Sequence, residues 1–193
     1  MKNILMIVGS LKKNSFNRQL AQEIESTLEG RANISYLEYG DLPFLNQDIE
    51  YPVPESVAKV RSAVQKADGI WILSPEYNYN IPGVLKNLLD WLSCPMDPCD
   101  RHSSSAAKGK PVSISSAAGK SAGIGLRQNL KALLEIMSMK VIAGEGSGYV
   151  LDAEAFRSGL LNLSDAERAG LKAHAETFLA AISTVSGSPN FNK

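Results

Sequence analysis

The ten residues Ser74-Pro75-Glu76-Tyr77-Asn78-Tyr79-Asn80-Ile81-Pro82-Gly83 constrain this chain more than any other stretch. They follow a short apolar run, Gly69-Ile70-Trp71-Ile72-Leu73, of a length suited to a buried strand. They precede Val84-Leu85-Lys86-Asn87-Leu88-Leu89-Asp90-Trp91-Leu92, whose apolar residues recur at helical spacing. A polar, aromatic loop therefore joins a strand end to a helix start. In open α/β sheets that junction opens into the crevice where ligands bind. Pro75 and Pro82 stiffen the loop, so its amides and rings are fixed before a ligand arrives.

A length of 193 residues suits one sizeable core, and a single domain over residues 1–185 is expected. The chain is 44% apolar and 21% charged, which argues against disorder. Lys and Arg number 20 and Asp and Glu number 20, so there is no basic excess for nucleic acid or an anionic membrane. No apolar run approaches the roughly 20 residues that span a bilayer. The start, Met1-Lys2-Asn3-Ile4-Leu5-Met6-Ile7-Val8-Gly9, reads as a first strand and not as a signal peptide, so a cytoplasmic location is expected. Cys94 and Cys99 lie in Cys-Pro-Met-Asp-Pro-Cys near His102, without a fourth ligand or a known zinc spacing. They are read as ordinary loop thiols and no metal is expected.

Strand and helix patterns alternate throughout, as in a parallel sheet covered on both faces. Strands are expected at residues 4–8, 33–37, 69–73, 111–115 and 140–143. Helices are expected at 17–28, 54–66, 84–92, 122–137 and, after the capping-box pattern Ser164-Asp165-Ala166-Glu167, to about residue 182. Residues 93–110 form a polar loop with expected local mobility, residues 144–163 carry no clear period, and 186–193 is expected to fray. This order fits a doubly wound, flavodoxin-like α/β fold: a five-stranded parallel sheet of order 2-1-3-4-5 in three α/β/α layers.

Two further loops fall at the same sheet edge. After the first strand comes Ser10-Leu11-Lys12-Lys13-Asn14-Ser15-Phe16-Asn17-Arg18. Hydroxyls, an amide and cations at a helix entry suit an anion, with Ser10, Ser15 and Asn17 as donors and Lys12 or Lys13 as counter-charge. Plain N-capping by Ser15 or Asn17 is the alternative. After the fourth strand comes Ser115-Ser116-Ala117-Ala118-Gly119-Lys120-Ser121-Ala122-Gly123, whose small residues let a flat ligand approach the backbone. A phosphate loop, an aromatic loop and a small-residue loop together match the shape of FMN. The chain carries no G-x-G-x-x-G, no G-x-x-x-x-G-K-[ST] and no G-x-S-x-G, so it lacks the fingerprints of NAD-type Rossmann proteins, P-loop triphosphatases and α/β-hydrolases. His102 and His174 leave few candidates for Ser-His catalysis, and His174 in the last helix is read as a surface or packing residue.

The first loop, Gly9-Ser10-Leu11-Lys12-Lys13-Asn14-Ser15-Phe16-Asn17, and the stretch from Pro75 through Trp91 resemble the two motifs of the NADPH-dependent FMN reductase family, which includes chromate/quinone reductases and azoreductases. The resemblance covers residues 4–141. It implies that Ser10, Lys12, Ser15 and Asn17, with Phe16 in the same stretch, hold the FMN phosphate. It places Pro75, Glu76, Tyr77, Asn78 and Tyr79 along the flavin, and Ser115, Ser116 and Gly119 at its border. The family commonly carries arginine where this chain has Lys12, which keeps the charge and loses the planar fork. The 94–108 loop is longer than in relatives and would either cover the site or lie on the surface.

The resemblance implies a flavoenzyme in which hydride passes from NADPH or NADH to the flavin N5 and on to a quinone, azo compound, metal oxyanion or free flavin. No catalytic side chain is implied, because the cofactor carries the chemistry. Arg18, Arg101 and Arg127 are loose candidates for a ribose-phosphate clamp, which leaves the choice of nicotinamide open. The rival reading is a flavodoxin-type electron carrier; such carriers are usually acidic, and this chain has no net charge to steer docking. A non-catalytic regulator of the same fold is a third reading. The resemblance also implies a homodimer or homotetramer, and Trp91 with Leu126, Leu130, Leu133 and Leu134 is expected to leave apolar surface for a partner.

Overall fold

The computed structural model describes residues 1–184, so the expected frayed tail lies outside the described residues. The strands are β1 (Lys2–Val8), β2 (Ala32–Tyr36), β3 (Gly69–Leu73), β4 (Pro111–Ala118), β5 (Lys140–Val141) and β6 (Ser147–Val150). The helices are α1 (Phe16–Thr27), α2 (Glu55–Lys66), α3 (Gly83–Ser93), α4 (Ile124–Ile136), α5 (Ala153–Ser158) and α6 (Asp165–Thr184). All pairings are parallel, in the order β2-β1-β3-β4-β5, with β6 also beside β4.

Alternation along the central strands sorts the core into two layers. Leu5, Ile7, Ile70, Ile72, Val112 and Ile114 face α2, α3 and α4. Ile4, Met6, Val8, Trp71, Leu73 and Ala117 face α1, α5 and α6. Strands buried on both faces read as the continuous apolar runs seen in the sequence. The capping box at α6 is formed, with the Glu167 amide donating to Ser164 Oγ at 3.3 Å and the Ser164 amide donating to Glu167 Oε2 at 2.8 Å.

Three expectations change. The fifth sheet position is split: β5 pairs with the start of β4 and β6 with its end, around a turn in which the Gly146 amide donates to the Ala143 carbonyl at 3.0 Å. The stretch without a clear period thus holds β6 and α5. The 94–108 loop is pinned and not free: Pro95 and Ser105 form an antiparallel bridge, Tyr51 Oη donates to the Pro95 carbonyl at 2.5 Å, and Ala106 and Ala107 are buried. It runs from the end of α3 to the start of β4, so it meets the sheet at the edge opposite the strand C-termini. Finally, Trp91, Leu126, Leu130 and Leu134 are fully buried in the core, which leaves only the half-buried Leu133 of the five residues expected to offer partner surface.

His174, read from the sequence as a surface or packing residue, is a half-buried packing residue whose ring is also hydrogen-bonded. Its Nε2 lies 2.6 Å from Ser113 Oγ and its Nδ1 3.1 Å from Ser147 Oγ. Ser147 Oγ lies 2.8 Å from Ser115 Oγ, which accepts from Trp71 Nε1 at 3.0 Å. The imidazole also packs on the Trp71 ring, with centroids 4.8 Å apart. Burial pushes its pKa down to about 4. The folded state therefore holds a neutral ring while the unfolded chain binds a proton at the ordinary value near 6.5. The resulting stability is complete above about pH 6.5 and is lost as pH falls toward 4, by at most about 3 kcal/mol. Urea titrations of the wild type and His174→Gln should show a stability gap that is wide at about pH 7 and narrows by about pH 4.5. A gap independent of pH would contradict the neutral buried ring.

Candidate functional site

The C-terminal ends of β1, β3 and β4 bring the three polar loops to one edge. The first loop leaves β1 at Gly9, whose amide donates to the Leu73 carbonyl at 2.7 Å. A Cβ at Gly9 would lie 2.3 Å from Ser74 Oγ, so only glycine lets the first two loops touch. Ser10 Oγ accepts from the Lys12 amide at 3.3 Å, and Ser15 is the N-cap of α1, accepting from the Arg18 amide at 3.1 Å. The amides of Phe16 and Asn17 fall in the first helical turn, where no intrahelical acceptor exists and an anion is favoured. Lys12 and Lys13 are exposed beside them. A cavity of about 570 Å³ lies between this loop and the end of β2, lined by Ser10, Lys12, Lys13, Arg18, Glu38, Tyr39 and others. A larger groove of about 770 Å³ lies between β1, β2 and α2, lined by Leu5, Ile34, Ala58 and Ala63 among others, and none of the three loops contributes to it.

Two side chains of the first motif do other work. Asn17 is 1% exposed, donates from Nδ2 to the Ala117 carbonyl and accepts at Oδ1 from the Ala117 amide, both at 2.9 Å. Both ends of its amide are engaged with the Ala117 backbone, which gives the side chain a structural role. Phe16 packs edge-to-face on Phe156 of α5 at 5.7 Å, which leaves only its backbone amide for an anion.

The second loop is a tight turn. The Tyr77 amide donates to the Asn80 carbonyl at 3.2 Å and the Asn80 amide to the Tyr77 carbonyl at 3.0 Å. Asn78 and Tyr79 have φ of 51° and 59°, the two left-handed residues of a type I′ turn. Asparagine tolerates that conformation, whereas for tyrosine it is strained. The turn is held from α4: Asn129 Nδ2 donates to the Tyr79 carbonyl at 3.4 Å, and a Cβ at Gly125 would come within 2.7 Å of that oxygen. Tyr77 is 54% and Tyr79 75% exposed, so two rings project from a fixed backbone.

Glu76 joins the second loop to the third. Its carboxylate accepts from Ser121 Oγ and, at 3.0 Å, from the Leu126 amide in the first turn of α4. Gly123, the N-cap of α4, has no side chain to cap it, and Glu76 supplies that cap from across the crevice. Both oxygens of Glu76 are thus engaged, one with the third loop and one with α4. Ser115 and Ser116 are fully buried. Ser115 belongs to the Trp71–His174 network, and Ser116 Oγ donates to the Ser74 carbonyl at 2.7 Å. Their hydroxyls face the interior, so neither is available to border a ligand with its side chain. Gly119 is half-buried, and the position of its absent Cβ faces open space. Pro75 is half-buried and Asn78 exposed at the same edge.

Sequence reasoning missed Ser121, Gly125 and Asn129. The hydroxyl and glycines just before α4 were a signal for a helix start that needs an external cap. No local pattern pointed to Asn129.

A parallel sheet with cations and free amides at one end of its crevice and fixed aromatic rings at the other defines a flavodoxin-like, nucleotide-cofactor oxidoreductase. The family model described as NADPH-dependent FMN reductase matches residues 2–149. The chain belongs to that family and is an oxidoreductase that uses FMN with NAD(P)H. A quinone reductase of Pseudomonas putida is 30% identical over 182 residues, covering 93% of this chain and 94% of the relative. A 2-hydroxy-1,4-benzoquinone reductase of a Burkholderia species is 41% identical over 92 residues, covering 48% of this chain and 50% of that one. The solved structure of FerB, a flavoenzyme NAD(P)H:(acceptor) oxidoreductase from Paracoccus denitrificans, has a TM-score of 0.81 at 26% identity, covering 95% of this chain and 98% of that chain. An archaeal flavodoxin at 11% identity, with a TM-score of 0.59, shares the fold.

Asn17→Ala leaves the amide and carbonyl of Ala117 unpaired in a buried setting and should cost about 2 kcal/mol or more in denaturant unfolding. A variant of unchanged stability that loses only flavin would instead make Asn17 a ligand. Glu76→Ala should lower stability by about 1 kcal/mol through loss of the α4 cap, read as a fall in the thermal midpoint.

Proposed function

We propose that this chain is a quinone reductase: it holds FMN at the three-loop edge, takes electrons from NAD(P)H and delivers them to a small quinone-like acceptor. The observation that carries this reading is the pair of exposed rings, Tyr77 and Tyr79, fixed on a strained turn at the same edge as the Lys12 loop. An elongated ligand with a phosphate at one end and a planar ring at the other fits that donor set. Ser10, Lys12, the Ser15 hydroxyl and the backbone amides of Phe16 and Asn17 would hold the phosphate. Tyr77, Asn78 and Tyr79, with Pro75 and Gly119, would border the ring.

Bound FMN supplies the two-electron chemistry. The chain's part is placement. The turn presents its rings without needing to order them, so little ordering entropy opposes binding. Glu76, the acid nearest the turn, is engaged with Ser121 and α4, and no side chain of this edge is assigned as an essential acid or base. The quinone named for the relatives supports a planar acceptor stacking where the nicotinamide stacks. The electron-carrier reading lacks a supporting observation, since the chain has no net charge. Among the described residues no helix is long and apolar enough to cross a membrane. A cytoplasmic setting for the acceptor is part of this proposal. Self-association as a homodimer or homotetramer would rest on other residues than expected, such as Phe44 and Ile136, which are 83% and 82% exposed. Light scattering that gives only a monomer would sink that part.

The direct test is anaerobic spectrophotometry of FMN-loaded protein. NADPH should bleach the bound flavin and a benzoquinone should restore it within the mixing time. Flavin that no nicotinamide bleaches would contradict the reading. Lys12→Ala should weaken FMN binding about tenfold, and Lys12→Arg should preserve or tighten it, measured by quenching of flavin fluorescence.

A further inference from the structure

Arg18 stands in the first turn of α1, next to Asn17, but the two side chains take opposite flanks of the loop. Asn17 reaches Ala117 on β4. Arg18 reaches β2: its guanidinium carbon lies 4.1 Å from the centroid of the Tyr36 ring, and its Nη2 lies 3.6 Å from Glu38 Oε1. Tyr36 is itself held, its hydroxyl donating to Glu25 Oε2 at 2.7 Å. The guanidinium is therefore oriented from beneath by a fixed ring. Its one ion pair among the described residues, with Glu38, is longer than a hydrogen bond, and the Glu38 side chain is 86% exposed. Among the described residues no acceptor lies within hydrogen-bond distance of the Arg18 guanidinium. Its planar fork is aimed by the Tyr36 ring and the long contact to Glu38, with its hydrogen-bonding capacity still open.

This fork lines the cavity of about 570 Å³ together with Lys13 and with Lys12, which the reading above gives to the FMN phosphate, so Arg18 and Lys13 are the cations left to face the Glu38 carboxylate there. The flavin ring in the reading above lies on the other side of the loop, toward β3 and β4. Neighbouring strands are about 5 Å apart, so the β2 flank lies roughly 10 Å from the end of β3, a span within reach of an extended dinucleotide. A half-buried arginine fork with a flanking lysine is suited to bidentate capture of a phosphate monoester.

We propose that the cavity on the β2 flank is an anion subsite for the 2′-phosphate of the nicotinamide donor, with Arg18 as the fork and Glu38 as the counter-charge that tunes it. The assignment rests on the reading that the site takes a nicotinamide donor, and it makes the chain prefer NADPH over NADH. Glu38 would oppose the incoming phosphate, so removing its charge should tighten the phosphate, an effect that damage to the fold would not produce.

The test uses calorimetric titration of the full chain with 2′,5′-ADP and with 5′-AMP, and kcat/KM for NADPH and NADH, in wild type, Arg18→Leu and Glu38→Gln. The wild type should bind 2′,5′-ADP more tightly than 5′-AMP. Arg18→Leu should cut the NADPH-to-NADH ratio about 10- to 100-fold, whereas Glu38→Gln should raise both that ratio and 2′,5′-ADP affinity. Equal binding of the two adenylates by the wild type would overturn the subsite. So would an Arg18→Leu variant that loses FMN with its nicotinamide ratio unchanged, because the cavity would then hold the flavin's own phosphate. If neither nicotinamide bleaches the flavin, the donor reading fails, and the adenylate titrations still decide whether the anion subsite exists.

Discussion

The paired hydrogen bonds between the Asn17 amide and the backbone of Ala117 govern how the ligand edge of this sheet is built. β3 ends at Leu73 opposite Ser115, while β4 continues to Ala118. Beyond that point the backbone of β4 has lost its strand neighbour on one side. Asn17 fills the gap with both a donor and an acceptor, as a further strand residue would. The same contact fixes the start of α1 against β4, and so sets the distance between the first and third loops. Two other contacts close the triangle. Gly9 lets the first loop touch Ser74 at the base of the second, and Glu76 ties the second to α4 and Ser121 in the third. The crevice is thus defined by three pairwise links, none of which needs a ligand in place.

These links explain why a strained turn persists. A left-handed Tyr79 is unfavourable by itself. It is held by its own turn hydrogen bonds, by Asn129 and by the close approach that Gly125 allows. The gain is two aromatic rings that are exposed and fixed together, an arrangement that a loose loop reaches only by losing entropy on binding.

Much of the architecture was legible because strands buried on both faces appear as plain apolar runs. Gly69–Leu73 and the α3 segment carry periods with little ambiguity, and the order of elements dictates a doubly wound sheet. The split fifth position was not legible, because β5 and β6 are two and four residues long and the turn between them has no strong period. At the site, the three loops were visible in the sequence, but what each side chain does was not. Asn17, Ser115 and Ser116 look like ligands by type and position. Tertiary contacts claim them first, because their polar groups are buried and need partners. Glu76, placed along the flavin by the resemblance, shows its role as a helix cap only when α4 is brought beside it. His174 gave no signal, since its partners come from β4 and β6.

The central claim is that the three loops act as one binding edge while the polar side chains beneath them are structural. Backbone amide NMR during titration with FMN tests it most directly. Shifts confined to the amides of residues 10–17, 76–79 and 119–121, with the side-chain amide of Asn17 and the indole of Trp71 left in place, are the predicted result. Saturable binding that leaves those loops unmoved, or that displaces the Asn17 and Trp71 signals first, would contradict it.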